Sequence, residues 1–143
     1  MPSETQRTRI LVVDDHAGMR DGISAMVNAQ PDMMVAGLAS NGREAIEKFR
    51  NLQPDVSLID WNLPLIRGDE VIATLKKEFP EARFIVITAL NDGECIQRAM
   101  NLGAKAYLHK DMLRRELIPA IHAVAQGQQY FPEQIVNHLK KGS

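Results

Sequence analysis

Asp14-Asp15, Asp60, Thr88 and Lys110 are side chains that together could handle a phosphoryl group. Each stands at, or just after, the end of a short apolar run: Ile10–Val13, Val56–Ile59, Phe84–Ile87 and Ala106–Leu108. Carboxylates gathered in one place repel one another unless a cation holds them. Hard oxygen donors favour Mg2+, which takes one or two carboxylates and keeps several waters. Asp15 and Asp60 are the expected direct ligands, with Asp14 binding directly or through water. The backbone carbonyl of Asn62 is a further candidate oxygen. Asp60 has a second expected role as nucleophile, since a carboxylate can accept a phosphoryl group and become an acyl phosphate. The metal would neutralise charge on the transferring oxygens, and positioning would contribute most of the remaining acceleration. Lys110 would pair with one phosphoryl oxygen as a point charge, and Thr88 would donate its hydroxyl to another. The added charge, about −1.5 to −2 by analogy with phosphorylated hydroxyl residues, is enough to draw that hydroxyl inward. Tyr107 is placed to report the movement to the surface, or else is a plain core aromatic.

Taken singly, these residues have plainer readings. Paired aspartates after a strand can cap the next helix, a lone Asp can close a turn, and Thr88 can cap. Lys110 can be a solvated loop charge. What sets them apart is that all fall on the same side of one regular pattern. Strand-like runs at 9–14, 33–39, 55–60, 83–88 and 104–109 alternate with helix-period segments. The runs are largely continuous in apolar residues, as expected of strands covered on both faces. Between them Met19, Ile23, Met26 and Val27 share a face, as do Ala45, Ile46 and Phe49. Val71, Ile72 and Leu75 repeat the pattern, followed by Ile96, Ala99 and Met100. Leu117, Ile118, Ile121, Val124 and Ala125 form the last stripe. Asn41 before Glu44 and Asn91 before Glu94 approximate capping boxes. Stops are expected at Gln30-Pro31, Gln53-Pro54, Phe79-Pro80 and Leu102-Gly103. Pro119 inside the fifth stripe implies a start near Arg115 or a kink.

Strict alternation of strand and helix predicts an α/β fold with a parallel sheet and right-handed crossovers, hence helices on both faces. For five doubly wound strands the expected order is 2-1-3-4-5, with ligands at the carboxyl ends of strands 1 and 3. Those are the strands that end in Asp14-Asp15 and Asp60.

The bulk composition of the 143 residues is consistent with one domain, 45% apolar, with 17 basic and 18 acidic residues and a net charge of −1. Such a balance provides no basic footprint for direct nucleic-acid binding. No apolar run is long enough to span a bilayer, and the polar first nine residues do not read as a signal peptide. The lone Cys95 excludes an internal disulfide and fits a reducing, cytoplasmic setting. Of the other residues of note, His16 is expected to open the first helix rather than ligate Mg2+. His109 is expected on the opposite face from Lys110, His122 and His138 on the surface, and Cys95 on the fourth helix without a redox role. Met33-Met34 reads as strand core.

The combination of Asp14-Asp15, Asp60-Trp-Asn-Leu-Pro64 with Gly68, Thr88-Ala89 and Lys110 after Tyr107 resembles the response-regulator receiver domain of bacterial two-component signalling, over about residues 8–128. Thr88 follows Asp60 by 28 residues and Lys110 follows Thr88 by 22. The Val-Val-Asp-Asp-His16 opening and the Gly127-Gln-Gln-Tyr-Phe-Pro132 stretch look like the NarL/FixJ (LuxR-type) subfamily. The resemblance implies a flavodoxin-like (βα)5 fold and Asp60 phosphorylated by a sensor histidine kinase. It also implies Mg2+ held by Asp14, Asp15 and Asp60, and a helix-turn-helix DNA-binding domain as the output in a full-length parent. That output domain needs about 60 further residues, which this sequence does not contain. Homodimerisation on phosphorylation is expected, and transcription regulation is the expected outcome. Trp61 is bulky for its position in that family. Asn62 and Leu90 occupy positions that resemble those tuning phosphoryl lifetime in that family.

The expected organisation is a polar tail (1–8), a receiver (9–127), and a linker with a short helix (128–143) whose apolar side is Ile135, Val136 and Leu139 and whose first turn holds Pro132. A phosphatase of the haloacid-dehalogenase type would need an acid two residues after the nucleophile, where this chain has Asn62. A flavin carrier would need a phosphate loop after strand 1, where Asp14-Asp15 would repel the phosphate. The chain is therefore expected to act as a phosphoacceptor that promotes its own transfer and dephosphorylation, not as a turnover enzyme.

Overall fold

The computed structural model describes residues 7–89 and 92–141; Leu90, Asn91 and the first six residues of the polar tail lie outside it. The chain runs β1 (Thr8–Val13), α1 (Ala17–Asn28), β2 (Met33–Ala39), α2 (Gly42–Leu52), β3 (Val56–Asp60) and α3 (Gly68–Glu78). It continues through β4 (Phe84–Thr88), α4 (Gly93–Asn101), β5 (Ala106–His109), α5 (Leu113–Ala125) and α6 (Glu133–Lys141). The five strands are parallel, in the order β2-β1-β3-β4-β5. Fold class and strand order are those expected from the alternation.

Burial follows strand position. β3 and β4 are buried along their whole length, whereas β2, an edge strand, is half-buried apart from Met33 and Ala39. Met34 is accordingly not core. The opposite edge, β5, is not left open. Tyr130 bridges to Ala106 in parallel and its N–H donates to the Lys105 carbonyl at 2.8 Å, which covers the free side of the strand. The segment expected as a linker is therefore docked. α6 then packs on α4 and touches β5, with Ile135 only 1% exposed.

The helix ends are set locally. The Asn41 carboxamide accepts the Glu44 N–H at 2.9 Å, as the expected capping box requires. The Glu44 carboxylate, however, takes the backbone N–H and hydroxyl of Ser40 and the Asn41 carboxamide N–H, not the Asn41 backbone N–H. α4 is capped by Asp92, whose carboxylate accepts the Cys95 N–H at 2.8 Å. α5 begins at Leu113, not near Arg115, and contains Pro119. A 3-10 turn over Lys110–Met112 starts the chain turning before it. α5 ends in a Schellman arrangement: Gly127, at φ +82°, donates to Val124, and Gln128 donates to Ala123. That left-handed backbone disfavours a residue with a side chain. Pro132 sits just before α6, where its carbonyl accepts from Ile135 and Val136.

Candidate functional site

Sheet register alone brings the singled-out residues to one edge. Val13 pairs with Ile59, so Asp14 comes level with Asp60 on the neighbouring strand. Asp60 pairs with Ile87 and Thr88 pairs with His109, so Thr88 and Lys110 stand one step beyond.

Asp14 is 1% exposed and Asp60 is 3% exposed. Lys110 bridges them, its Nζ lying 3.1 Å from Asp14 Oδ2 and 3.1 Å from Asp60 Oδ2. The other oxygen of Asp60 accepts the Asn62 N–H at 3.1 Å. The other oxygen of Asp14 accepts the His16 N–H at 2.8 Å, and its carbonyl accepts from Arg20 at 2.7 Å. Asp15 sits at the rim, exposed, with its carboxylate 3.1 Å from His16 Nδ1. Thr88 and Tyr107 are fully buried.

The electrostatics follow from this packing. Burial raises the Asp60 carboxyl above its ordinary pKa, and neighbouring Asp14 adds to that. The Asn62 N–H and the Lys110 ammonium pull the other way without overcoming it. Lys110 is also shifted upward: burial works against its charge, but the hydrogen bond and attraction to Asp60, with Asp14 behind it, prevail. The pocket thus contains more negative charge than one lysine offsets. Donor atoms of Asp14, Asp15, His16 and Asp60 lie within 4.8 Å of one another. Oxygens this close, on charged and partly desolvated carboxylates, suit a hard divalent cation.

The chain matches the family described as response regulator receiver domain over residues 10–122. It belongs to that family. The nitrate/nitrite response regulator protein NarL of Escherichia coli is 35% identical over 131 residues, covering 92% of this chain and 61% of that protein. This receiver therefore spans about three-fifths of that relative's length. A LuxR-family two-component response regulator from an Aurantimonas species superposes with a TM-score of 0.90 at 27% identity, covering 94% of this chain and 96% of that one. The NarL receiver domain of Mycobacterium tuberculosis superposes at 0.82 with 31% identity, covering 86% and 99%. Among the described residues, no helix of the receiver is long and apolar enough to cross a membrane.

Around the acidic pocket the receiver has a shell that sequence reasoning did not assemble. Trp61 is 1% exposed, and the loop after it closes when the Gly68 N–H donates to the Trp61 carbonyl at 3.0 Å. A Cβ on Gly68 would lie 2.5 Å from the Asp60 carbonyl oxygen, so only glycine lets α3 start this close to the pocket. The Trp61 indole faces the Cys95 thiol at the start of α4; burial and then Asp92 push that thiol's pKa up. Burial, then Cys95 and Asp92, also push the Tyr107 phenol up. Asp69, 7% exposed in the first turn of α3, is held by Arg98 of α4 at 2.9 Å and by Arg67 at 3.5 Å. Its only signal in the sequence was an acid in a first turn.

His109 faces away from the pocket's lysine. One ring nitrogen contacts the Ala89 carbonyl at 3.0 Å and the other accepts the Asp111 N–H at 3.0 Å. His122 is exposed and contacts Asp32 at 2.9 Å, while His138 is half-buried.

Proposed function

We propose that the chain is a phosphorylation-activated switch in which a sensor histidine kinase transfers a phosphoryl group to Asp60. The observation that carries this reading is the single pocket in which Lys110 bridges two nearly sealed aspartates. The Asp60 carboxylate is the nucleophile: its oxygen forms the new P–O bond as the bond to the donor breaks. Lys110 is already within reach of the position a phosphoryl oxygen would take, and Thr88 would offer its hydroxyl to another. Asp14, Asp15 and Asp60 would hold Mg2+, with the Asn62 carbonyl as a further oxygen. The metal would supply neutralisation of the equatorial charge when bound. The side chain at position 62 is a carboxamide, which cannot serve as the general acid of a turnover phosphatase, so the domain acts as a phosphoacceptor.

Thr88 and Tyr107 are the switch pair in this proposal. The units are a receiver over 9–127 and a connecting segment with a helix over 128–143. In a longer, cytoplasmic parent protein, or with a separate effector, the output would be a helix-turn-helix domain controlling transcription, with a homodimer forming on phosphorylation. This receiver would not itself contact DNA, consistent with its net charge of −1.

Intact mass after incubation with acetyl phosphate and Mg2+ tests the reading. The native chain is expected to gain one phosphoryl group and Asp60→Ala none. Equal gain in both would move the acceptor elsewhere. If neither gains mass and beryllofluoride does not bind the native chain, the pocket is not a phosphoacceptor.

A further inference from the structure

We propose that Arg20 is a positioning residue for the divalent cation: by holding the backbone carbonyl of Asp14 it sets where Asp15 presents its carboxylate. The proposal rests on the reading of Asp14, Asp15 and Asp60 as the Mg2+ site.

Three observations support it. First, the contact is short and partly shielded. Arg20 Nη1 donates to the Asp14 carbonyl at 2.7 Å, and Arg20 is half-buried although it stands on a surface helix. Second, that carbonyl lies between two acids that are held very differently. Asp14 follows the last residue of β1, and its N–H donates to the Ala39 carbonyl at 3.1 Å. One of its carboxylate oxygens accepts the His16 N–H and the other lies 3.1 Å from Lys110 Nζ. Asp15 sits at the rim, its carboxylate against the exposed His16 ring. The peptide unit joining the two is planar. A bond to the Asp14 carbonyl therefore also fixes the direction of the Asp15 N–H and the placement of its Cα.

Third, Arg20 stands where a cation is otherwise disfavoured. It is the fourth residue of α1, near the positive end of the helix dipole, and the first turn contains no acidic residue. His16 at the N-cap makes no side-chain cap bond. The guanidinium reaches back toward the helix start, as helical side chains do, and ties the turn between β1 and α1 in place of a cap.

The effect on the cation follows from how each ligand is placed. The sheet sets Asp14 and Asp60, whereas Asp15 depends on the turn. Groups that orient metal ligands are commonly worth about 10–100-fold in metal affinity. Without Arg20 the joining peptide can rotate, and Asp15 must be ordered as the cation binds, at an entropic cost. The opposite sign applies if Arg20 is only a nearby positive charge. Its removal would then leave the pocket more negative and tighten cation binding. The direction of the change thus separates the two roles.

The test is isothermal titration calorimetry of the full chain with Mg2+ as the probe. Arg20→Met keeps the apolar stem and removes the donor, and Arg20→Lys retains a donor and the charge. Arg20→Met is expected to bind Mg2+ about tenfold more weakly, with Arg20→Lys recovering most of the loss. The Mg2+ concentration that half-saturates acetyl-phosphate labelling should rise in Arg20→Met by the same factor. If the native chain binds Mg2+ and Arg20→Met binds it equally well or more tightly, the proposal is overturned while the metal site stands. A loss that tracks a fall in Tm and is not regained by Arg20→Lys would make Arg20 a structural residue and also overturn it. Failure of the native chain to bind Mg2+ would remove the metal site and the proposal together.

Discussion

The Asp60 carboxylate is almost sealed from solvent, has Asp14 beside it, and has one lysine shared between the two. Its raised pKa means that the folded chain binds the proton more tightly than the unfolded chain does. Protonation therefore favours folding. That contribution is full below the ordinary carboxyl pKa and is lost as pH rises through the raised value. At neutral pH the charge weighs against the fold. Asp60→Asn is accordingly expected to unfold at higher urea at pH 7, by about 1 kcal/mol, with the gain fading toward pH 4. A urea series across that range checks it, and a gain that grew on acidification would contradict the assignment. Lys110→Ala leaves both aspartates without their cation and is expected to cost about 3 kcal/mol in metal-free buffer. Excess Mg2+ should restore part of that loss if the three carboxylates bind the ion.

At the level of helices and strands, the pocket depends on where each element starts. The α2 cap at Asn41 is reinforced by Ser40 and Glu44, whose carboxyl pKa is lowered mainly by the Ser40 N–H. Asn41→Ala should lose about 1 kcal/mol, the usual value of an N-cap, with no change in acetyl-phosphate labelling. Gly68→Ala is different. The added methyl meets the Asp60 carbonyl at 2.5 Å and Trp61 Cα at 2.9 Å, both backbone atoms that cannot step aside. Its stability loss, about 1–3 kcal/mol for overpacking, should come with slower labelling, because α3 would push the Asp60 strand end out of place. Thermal unfolding and intact-mass kinetics on the two variants separate a cap from a contact that shapes the site.

Over the whole molecule, an aromatic cluster packs at the end of the sheet opposite the chemistry. Phe49 lies against Phe79 and Phe84 with ring centroids 5.2 and 5.9 Å apart, and Phe84 opens β4 while Thr88 closes it. The pocket can thus carry unbalanced charge because burial elsewhere stabilises the fold. A ligand that relieves the charge should stabilise the entire cooperative unit. Mg2+ at about 100 times its dissociation constant should add about 2.7 kcal/mol. For a chain of this size, Tm should rise by roughly 5–10 °C. Asp60→Asn should show much less of that rise in differential scanning calorimetry, since it removes one charged ligand.

Much of this was legible before any coordinates. Apolar runs of strand length, each ending in a residue suited to the chemistry, imply a parallel sheet with one functional edge, because βαβ crossovers turn all strand ends the same way. Asn41 as a cap and Gly103 after α4 were also readable, since caps and stops act within a few residues. The tertiary structure decided everything that depends on contacts between distant elements. It set Lys110 between two aspartates from a 3-10 turn, buried Tyr107 completely, and brought Trp61 to Cys95 and Asp69 to Arg98. It also folded residues 130–139 back onto β5 and α4, where the sequence showed an apolar side at Ile135, Val136 and Leu139 but not what covers it. Periodicity records which face of an element is apolar; it does not record which neighbour covers that face, and that choice is made only when the whole chain packs.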